Sequence, residues 1–177
     1  MADEYGKKLT TALAAVRQLH SDTSKLMVDF DGKMFAGGWS SVFANTATSE
    51  LTYQVRAQFW MAQGVYRYYA KDGSPGYVEG LAVVFFRKGV EEPLFLVAQI
   101  QYHMDPNKVI SSVCQVWDIW YLYFKHADKR DLEAVNRFRN IENGRIERAA
   151  VLAVPLLSIK TLADAMAALN KVREARF

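Results

Sequence analysis

Cysteine is nearly absent from this chain of 177 residues, which contains only Cys114. A single cysteine excludes an internal disulfide, and its place inside an apolar run predicts a buried, unreactive thiol. Long apolar runs are missing too, since Leu81 to Phe86 and Ala149 to Leu157 fall far below the roughly 18 residues of a membrane span. The N-terminus is acidic and then amphipathic, without the apolar core of a signal peptide. We therefore expect a cytoplasmic protein with no membrane partner.

Motifs that carry chemistry are also lacking. The one glycine pair, Gly37-Gly38, follows a helical pattern, whereas a phosphate-binding loop opens a helix. The sequence has no serine-centred nucleophile elbow, and Cys114 lacks the surroundings that would activate a thiol. The sequence thus predicts no catalytic residue, no metal site and no cofactor, and it favours a non-enzymatic binding module.

The composition that is present belongs to a folded globular protein. Hydrophobic residues make up 51% and charged residues 23% of the chain, and the length suits one domain with a core of its own. We see no linker or repeat that divides it, so residues 1–177 are predicted to form a single domain. Aromatic residues are frequent at 13%, and 16 of the 23 fall between Tyr53 and Phe124.

The N-terminal segment predicts one long helix. Its apolar stripe alternates spacings of four and three residues as far as Gly37-Gly38, where two glycines end it. Asp29 and Asp31 fall on the solvated side of this helix. A helix of about 30 residues is long for a small domain, so we expect part of its stripe to pack on a partner chain. The stripe comprises Leu9, Leu13, Val16, His20, Thr23, Met27, Phe30 and Met34.

The aromatic-rich middle of the chain predicts an antiparallel meander of about four strands over residues 51–104. Strict alternation from Leu51 to Met61 is typical of a half-buried strand. Val65 to Ala70, Tyr77 to Lys88 and Pro93 to His103 follow, separated by turn-forming residues. The last two strands are apolar on both faces, which predicts central positions covered on both sides.

The stretch after the meander is less definite. Asp105-Pro106 predicts a helix start, with Asp as the cap and Pro in the first turn. The apolar pattern in residues 106–126 fits a helix or a strand, and the sequence leaves that choice open. A charged segment follows, in which Leu132 to Ile141 is predicted to form a short helix that ends at Asn143-Gly144.

The C-terminal region adds one more strand and a last helix. Ile146 to Leu157 is apolar and strand-like, with Pro155 at an edge or at the strand end. Ser158 or Thr161 caps a final helix that runs to Ala175. Together these elements predict an α+β fold with an antiparallel four- to five-stranded sheet, a long N-terminal helix and C-terminal helices packed on it.

The clustering of aromatic and arginine side chains on neighbouring strands predicts an interaction surface. Tyrosine and arginine are enriched where proteins bind flat ligands or other proteins. We therefore predict a homodimeric binding module that uses one sheet face to bind a protein or a small flat ligand. The residues predicted to bind are Arg56, Trp60, Tyr66, Arg67, Tyr68 and Tyr102.

An alternative function follows from the order of elements. A helix, three or more antiparallel strands, a helix and a strand resemble the core of the PD-(D/E)XK nuclease fold. That resemblance implies a divalent-metal-dependent phosphodiesterase or a degenerate nuclease, with Glu79 as the first carboxylate. Its second acidic position falls on Gln99, and Gln101 stands where the family has lysine.

A second alternative is nucleic-acid binding through the basic region 125–148. Residues 125–177 carry 11 Lys and Arg against 7 Asp and Glu, although the whole chain has a net charge of only +3. Several aromatic residues precede this region, and they can stack on bases while the cations bind phosphates. The basic residues concerned are Lys129, Arg130, Arg137, Arg139, Arg145 and Arg148.

Overall fold

The computed structural model describes residues 2–44, 48–49, 63–85, 91–105, 107–126, 131–139, 141 and 144–175. Over these residues the chain has an α+β fold with a long N-terminal helix, an antiparallel sheet and C-terminal helices, which confirms the predicted class. Within them, no helix has the length and apolar content needed to cross a bilayer. The main elements are α1 (Ala2–Ala36), β1 (Trp39–Ser41), β2 (Thr48–Ser49), β3 (Gly64–Lys71), β4 (Tyr77–Val84), β5 (Leu94–Tyr102), α2 (Asp118–Tyr121), β6 (Val135–Arg139), β7 (Ile146–Pro155) and α3 (Leu162–Glu174).

The sheet is larger than the four to five strands predicted. Six strands follow the order β1-β3-β4-β5-β7-β6, all pairs are antiparallel, and the two-residue β2 pairs with the same edge of β3 as β1 does. The predicted meander is present from β3 to β5. Its first strand, Leu51 to Met61, lies outside the described residues. The additional edge strands are β1 and β6.

The sheet is buried on both faces, as the apolar strands β4 and β5 predicted. One face packs under residues 107–126, which we call the covering segment, and this side includes Ile119 and Leu122. The other face packs under α1 and α3, with Phe30 from α1 and Leu169 from α3 in its core. The protein's own helices therefore supply both covers.

The helix predicted over Leu132 to Ile141 is wrong, because this region contains β6. Val135, Arg137 and Arg139 alternate with Asn136 and Phe138, and the strand pairs with β7. Phe138 packs on the face under the covering segment. The segment forms a strand because the edge of β7 offers backbone hydrogen bonds to it.

The covering segment resolves the choice that the sequence left open. It is helical from Asp118 to His126, with a last turn of π-helix, and one 3-10 turn precedes it at Ile110–Ser112. The helix start predicted at Asp105 is wrong. Asp105 begins a turn. Its carboxylate accepts a hydrogen bond from the Asn107 amide at 3.0 Å, and its carbonyl accepts one from the Lys108 amide at 2.9 Å.

The ends of the remaining elements follow local chemistry. The helix α1 ends at Ala36, before Gly37-Gly38, and Gly38 takes the left-handed backbone conformation that favours glycine. Strand β7 ends at Pro155, as predicted. Thr161 caps α3, and its hydroxyl accepts from the Asp164 amide while the Asp164 carboxylate binds the Thr161 amide in return.

Candidate functional site

The three predicted ligand-binding tyrosines lie together on one sheet face, under the covering segment. Tyr66, Tyr68 and Tyr102 are at most 1% exposed and belong to one hydrophobic cluster. A ligand would reach them only if the covering segment moved, and their role in binding stays a prediction. Arg56 and Trp60 lie outside the described residues.

A buried charge sits beside these tyrosines. Asp118 is 0% exposed and receives Nη1 and Nη2 of Arg145, each at 2.6 Å. The hydroxyl of Tyr102 donates to it at 2.6 Å and the amide of Gln115 at 2.8 Å. Hydrogen bonds to Asp118 raise the pKa of Arg145 above its ordinary value, although burial opposes this. The carboxylate is thereby paired and satisfied in the core.

The tyrosine hydroxyls fasten the covering segment to the sheet. Tyr68 donates to the Val116 carbonyl at 2.9 Å and accepts from the Ile119 amide at 3.2 Å. Burial raises the pKa of Tyr68 and of Tyr102 well above the ordinary value, and the nearby Asp118 charge raises both further. Both phenols therefore stay protonated and keep donating. These hydrogen bonds hold the covering segment against β3 and β5.

Glu79 and Gln99, the pair proposed for a metal-dependent site, are neighbours across β4 and β5. Gln99 Nε2 donates to Glu79 Oε1 at 3.2 Å. Arg173 of α3 reaches the same carboxylate with Nε at 2.9 Å and Nη2 at 2.6 Å, and Tyr77 donates to it at 3.2 Å. Hydrogen bonds to Glu79 raise the pKa of Arg173. A metal ion at Glu79 would have to displace this bidentate arginine.

A third ion pair joins α1 to the sheet. The expectation that Asp31 is a solvated carboxylate is wrong, because it receives Nε and Nη2 of Arg67 at 2.8 Å and the hydroxyl of Tyr69 at 2.7 Å. Arg67 also donates to the Ala44 carbonyl at 2.9 Å. Burial lowers the pKa of Arg67, but its bonds and attraction to Asp31 outweigh this and raise it. The predicted binding role of Arg67, which is 4% exposed, stays a prediction.

The three pairs share one arrangement, in which a carboxylate and an arginine from different layers meet at the sheet. They hold α1, α3 and the covering segment in place. Sequence reasoning missed Arg173 and Arg145, which lie 94 and 27 positions from their partners. Asp118 carried a usable signal, because it is the only charged residue between Val109 and Phe124. Among the described residues, no three His, Cys, Asp or Glu side chains are grouped to hold a metal ion.

The surface of the first half of α1 is open. Every side chain from Glu4 to Ala15 is exposed, including Tyr5 at 71%, Leu9 at 49% and Leu13 at 56%. Contact with the sheet begins near His20, whose ring lies 4.2 Å from that of Phe85. The apolar stripe of α1 therefore continues well past the protein's own core.

A groove lies between α1 and the chain that joins β7 to α3, and we call it the α1–α3 groove. Its volume is about 500 Å³, and its α1 wall extends from Leu19 to Asp29. Thr23 at its wall is 4% exposed, and its Oγ1 has no hydrogen-bond partner in the described part of the chain. Its apolar lining comes from Leu19, Leu26, Leu156, Leu157, Ile159 and Leu162.

Three arginines from the basic region meet on the sheet face that carries α3, and we call them the arginine row. Arg139 of β6 lies directly opposite Arg148 of β7, and Arg137 projects from the same face two residues earlier. Arg137 and Arg139 are exposed. Arg145, from the same predicted region, instead binds Asp118 in the core. Lys129 and Arg130 lie outside the described residues.

Comparison of the chain with protein-family models, with curated proteins and with solved structures finds no match. Function must therefore be argued from the geometry of the described residues.

Proposed function

We propose that this protein is a non-enzymatic interaction module that works as a homodimer, with the first half of α1 as its interface. The observation that carries the proposal is the exposed apolar stripe. Tyr5, Leu9, Ala12 and Val16 follow one another at spacings of four and three, the repeat of a coiled-coil seam. Further along α1, apolar residues at the same spacing pack on the sheet.

The exposed half of α1 gains stability if a second copy covers it. Isolated helices of about 12–15 residues are marginal in water, and protein helices depend on packing of an apolar face. Residues 4–15 make no such packing within the described chain. Gly6 further weakens this half as an isolated helix. A second helix along the seam would supply the missing contacts.

The chemistry of the buried polar groups supports a binding role over catalysis. Asp31, Glu79 and Asp118 are each held by an arginine that links two layers of the fold. Cys114 is buried, and burial raises the pKa of its thiol to about 12, so it is a poor nucleophile at neutral pH. We further propose a cytoplasmic location, where a free thiol of this kind is common.

The test of the homodimer is sedimentation equilibrium on the purified protein and on charged variants of α1. We expect a dimer for the wild type and a monomer for Leu9→Glu/Ala12→Glu, because two carboxylates cannot be buried in an apolar seam. The matched control is Thr11→Glu/Ala14→Glu, which adds the same charge on the opposite side of the helix and should stay dimeric. A wild type that is monomeric throughout the micromolar range would show the proposal to be wrong.

A second candidate function is binding of a phosphate backbone, and the arginine row favours it. The arginine row places three guanidinium groups at neighbouring positions of β6 and β7, with Arg139 opposite Arg148, an arrangement that suits a bound phosphate. Next to Arg148 on β5 lies Gln101, whose own neighbour on β4 is Tyr77. These four side chains present cations, an amide and an aromatic ring in one line across the sheet. Single-stranded nucleic acid is bound by this combination of groups.

Titration of a labelled single-stranded oligonucleotide at several salt concentrations tests this second candidate. We expect affinity to fall as salt rises, and Arg137→Gln/Arg139→Gln to reduce the slope of log affinity against log salt by about 1.4, which corresponds to two phosphate contacts. The control is Lys33→Gln/Lys108→Gln, which removes two exposed cations elsewhere. Equal slopes for the two double variants would rule out the arginine row.

A further inference from the structure

We infer that the two α1 helices pair antiparallel, so that Tyr5 of the second copy fills the α1–α3 groove and its hydroxyl bonds to Thr23. This inference rests on the homodimer proposed above and specifies its geometry. By symmetry each dimer would contain the contact twice.

The groove has the shape that a coiled-coil knob requires. In a coiled coil, each seam side chain enters a hole formed by four residues of the facing helix. The part of α1 that lines the groove contains such a set, namely Leu19, Asp22, Thr23 and Leu26. Their spacings of three, one and three residues are those of one hole on a helix surface. The groove beside this hole is deepened by the apolar chain that precedes α3, and because Thr23 is 4% exposed its hydroxyl has to turn toward the groove to meet a knob.

The hydroxyl of Thr23 in that hole indicates which kind of side chain from the second copy enters it. A threonine inside a helix commonly donates to a carbonyl one turn earlier, yet Thr23 Oγ1 has no partner among the described residues. A buried hydroxyl in that state favours a ligand that brings both a hydrogen-bonding group and apolar surface. A tyrosine has both, and Tyr5 at 71% exposure has its side chain largely in water.

Placing Tyr5 of one copy against Thr23 of the other fixes the whole register. In an antiparallel pair the two positions of every contact add up to the same number. Leu9 then lies against Leu19, and Ala12 lies against Val16. Each of these is an apolar seam residue, so a single alignment fills the seam from end to end.

Charges flanking the seam complement one another in this register. Lys8 pairs with Glu4 at 2.8 Å on one turn of α1, and Lys25 pairs with Asp22 at 3.7 Å further along. The antiparallel alignment places the first pair beside the second pair of the other copy, with Lys8 next to Asp22. A parallel, in-register alignment instead sets Lys8 beside the uncharged Leu13 of the other copy and leaves Tyr5 far from Thr23. Charge complementarity thus selects the antiparallel pair.

Disulfide trapping tests the register. In a Cys114→Ala background, Leu9→Cys and Leu19→Cys proteins are mixed, oxidised and analysed for covalent dimers. We expect cross-linking in the mixture and little with either protein alone, because a disulfide needs Cα atoms within about 7 Å. Cross-linking of Leu9→Cys with itself would indicate a parallel pair and overturn the inference.

A double-mutant cycle tests the hydrogen bond. Tyr5→Phe and Thr23→Val should each weaken dimerisation by roughly 10- to 100-fold, since the bond occurs twice per dimer, and the combined variant should be no weaker than either. Thr10→Val is the control, because the Thr10 hydroxyl donates to the Gly6 carbonyl away from the seam. Additive effects in the cycle would overturn the contact.

The results separate the two proposals. A wild-type dimer that shows no cross-link in the mixture refutes the register and leaves the homodimer standing. A monomeric wild type refutes both.

Discussion

Replacing Arg145 by methionine should lower the free energy of unfolding by about 3–5 kcal/mol. The guanidinium supplies two of the four hydrogen bonds to Asp118, which is 0% exposed. Without it a carboxylate remains in the core with no opposite charge, and desolvation of that charge is the dominant loss. Methionine keeps the apolar stem of the side chain, so the change reports mainly on the charge. Urea denaturation of the two proteins measures the difference.

Two further variants isolate the cause. Arg139→Met removes an exposed arginine from the edge strand β6 and should change stability by less than about 0.5 kcal/mol. Asp118→Leu/Arg145→Met removes both charges and should recover part of the loss, because no unpaired ion remains. If Arg145→Met unfolds at the same urea concentration as Arg139→Met, the ion pair does not stabilise the fold.

Replacing Gly76 by alanine should destabilise the protein by about 2–5 kcal/mol. Gly76 has a positive φ of 75°, which an L-residue adopts only with strain. A Cβ at this position would also lie 2.6 Å from the Tyr102 carbonyl oxygen and 2.6 Å from Met104 Cγ. The Tyr102 amide donates to the Gly76 carbonyl at 2.8 Å, so the turn cannot move away without losing that bond. Thermal and urea unfolding both measure the effect.

Gly73 provides the matched control in the same turn. Its φ of 78° is nearly identical, but a Cβ there meets no atom within 4 Å. Gly73→Ala therefore measures the backbone strain alone, which we expect to be about 1–2 kcal/mol. The excess for Gly76→Ala then measures the steric contact. Equal losses at the two glycines would mean that the turn relaxes without cost.

The regular elements were predictable where a local period decides the structure. The stripe of α1 and the doubly apolar β4 and β5 depend on residues close in sequence. Their burial followed as well, because a strand that is apolar on both faces has to be covered twice. The pairing of Glu79 with Gln99 came from the resemblance to the nuclease core, and the two residues lie opposite each other on β4 and β5.

The segment from Leu132 to Ile141 shows where local reasoning ends. The sequence predicted a short helix there, ending at Asn143-Gly144. The strand forms because β7 presents an unpaired edge, a feature that depends on residues 146–155. The residues of the covering segment fit a helix or a strand. They form a helix because they lie over a sheet whose strands are already paired. Tertiary surroundings decide such cases, since intrinsic preferences are small.

By itself the sequence determined the fold class, the long N-terminal helix and the surplus of its apolar stripe, because these follow from periodicity. Only the tertiary structure decided the partners of the charged groups. Arg173 reaches Glu79 from another layer of the fold, and no local pattern relates them. The tertiary structure also showed that the tyrosines secure a covering segment and that Thr23 has an unused hydroxyl beside an open groove. Contacts between layers depend on how whole elements pack, whereas periodicity records only which side of one element is apolar.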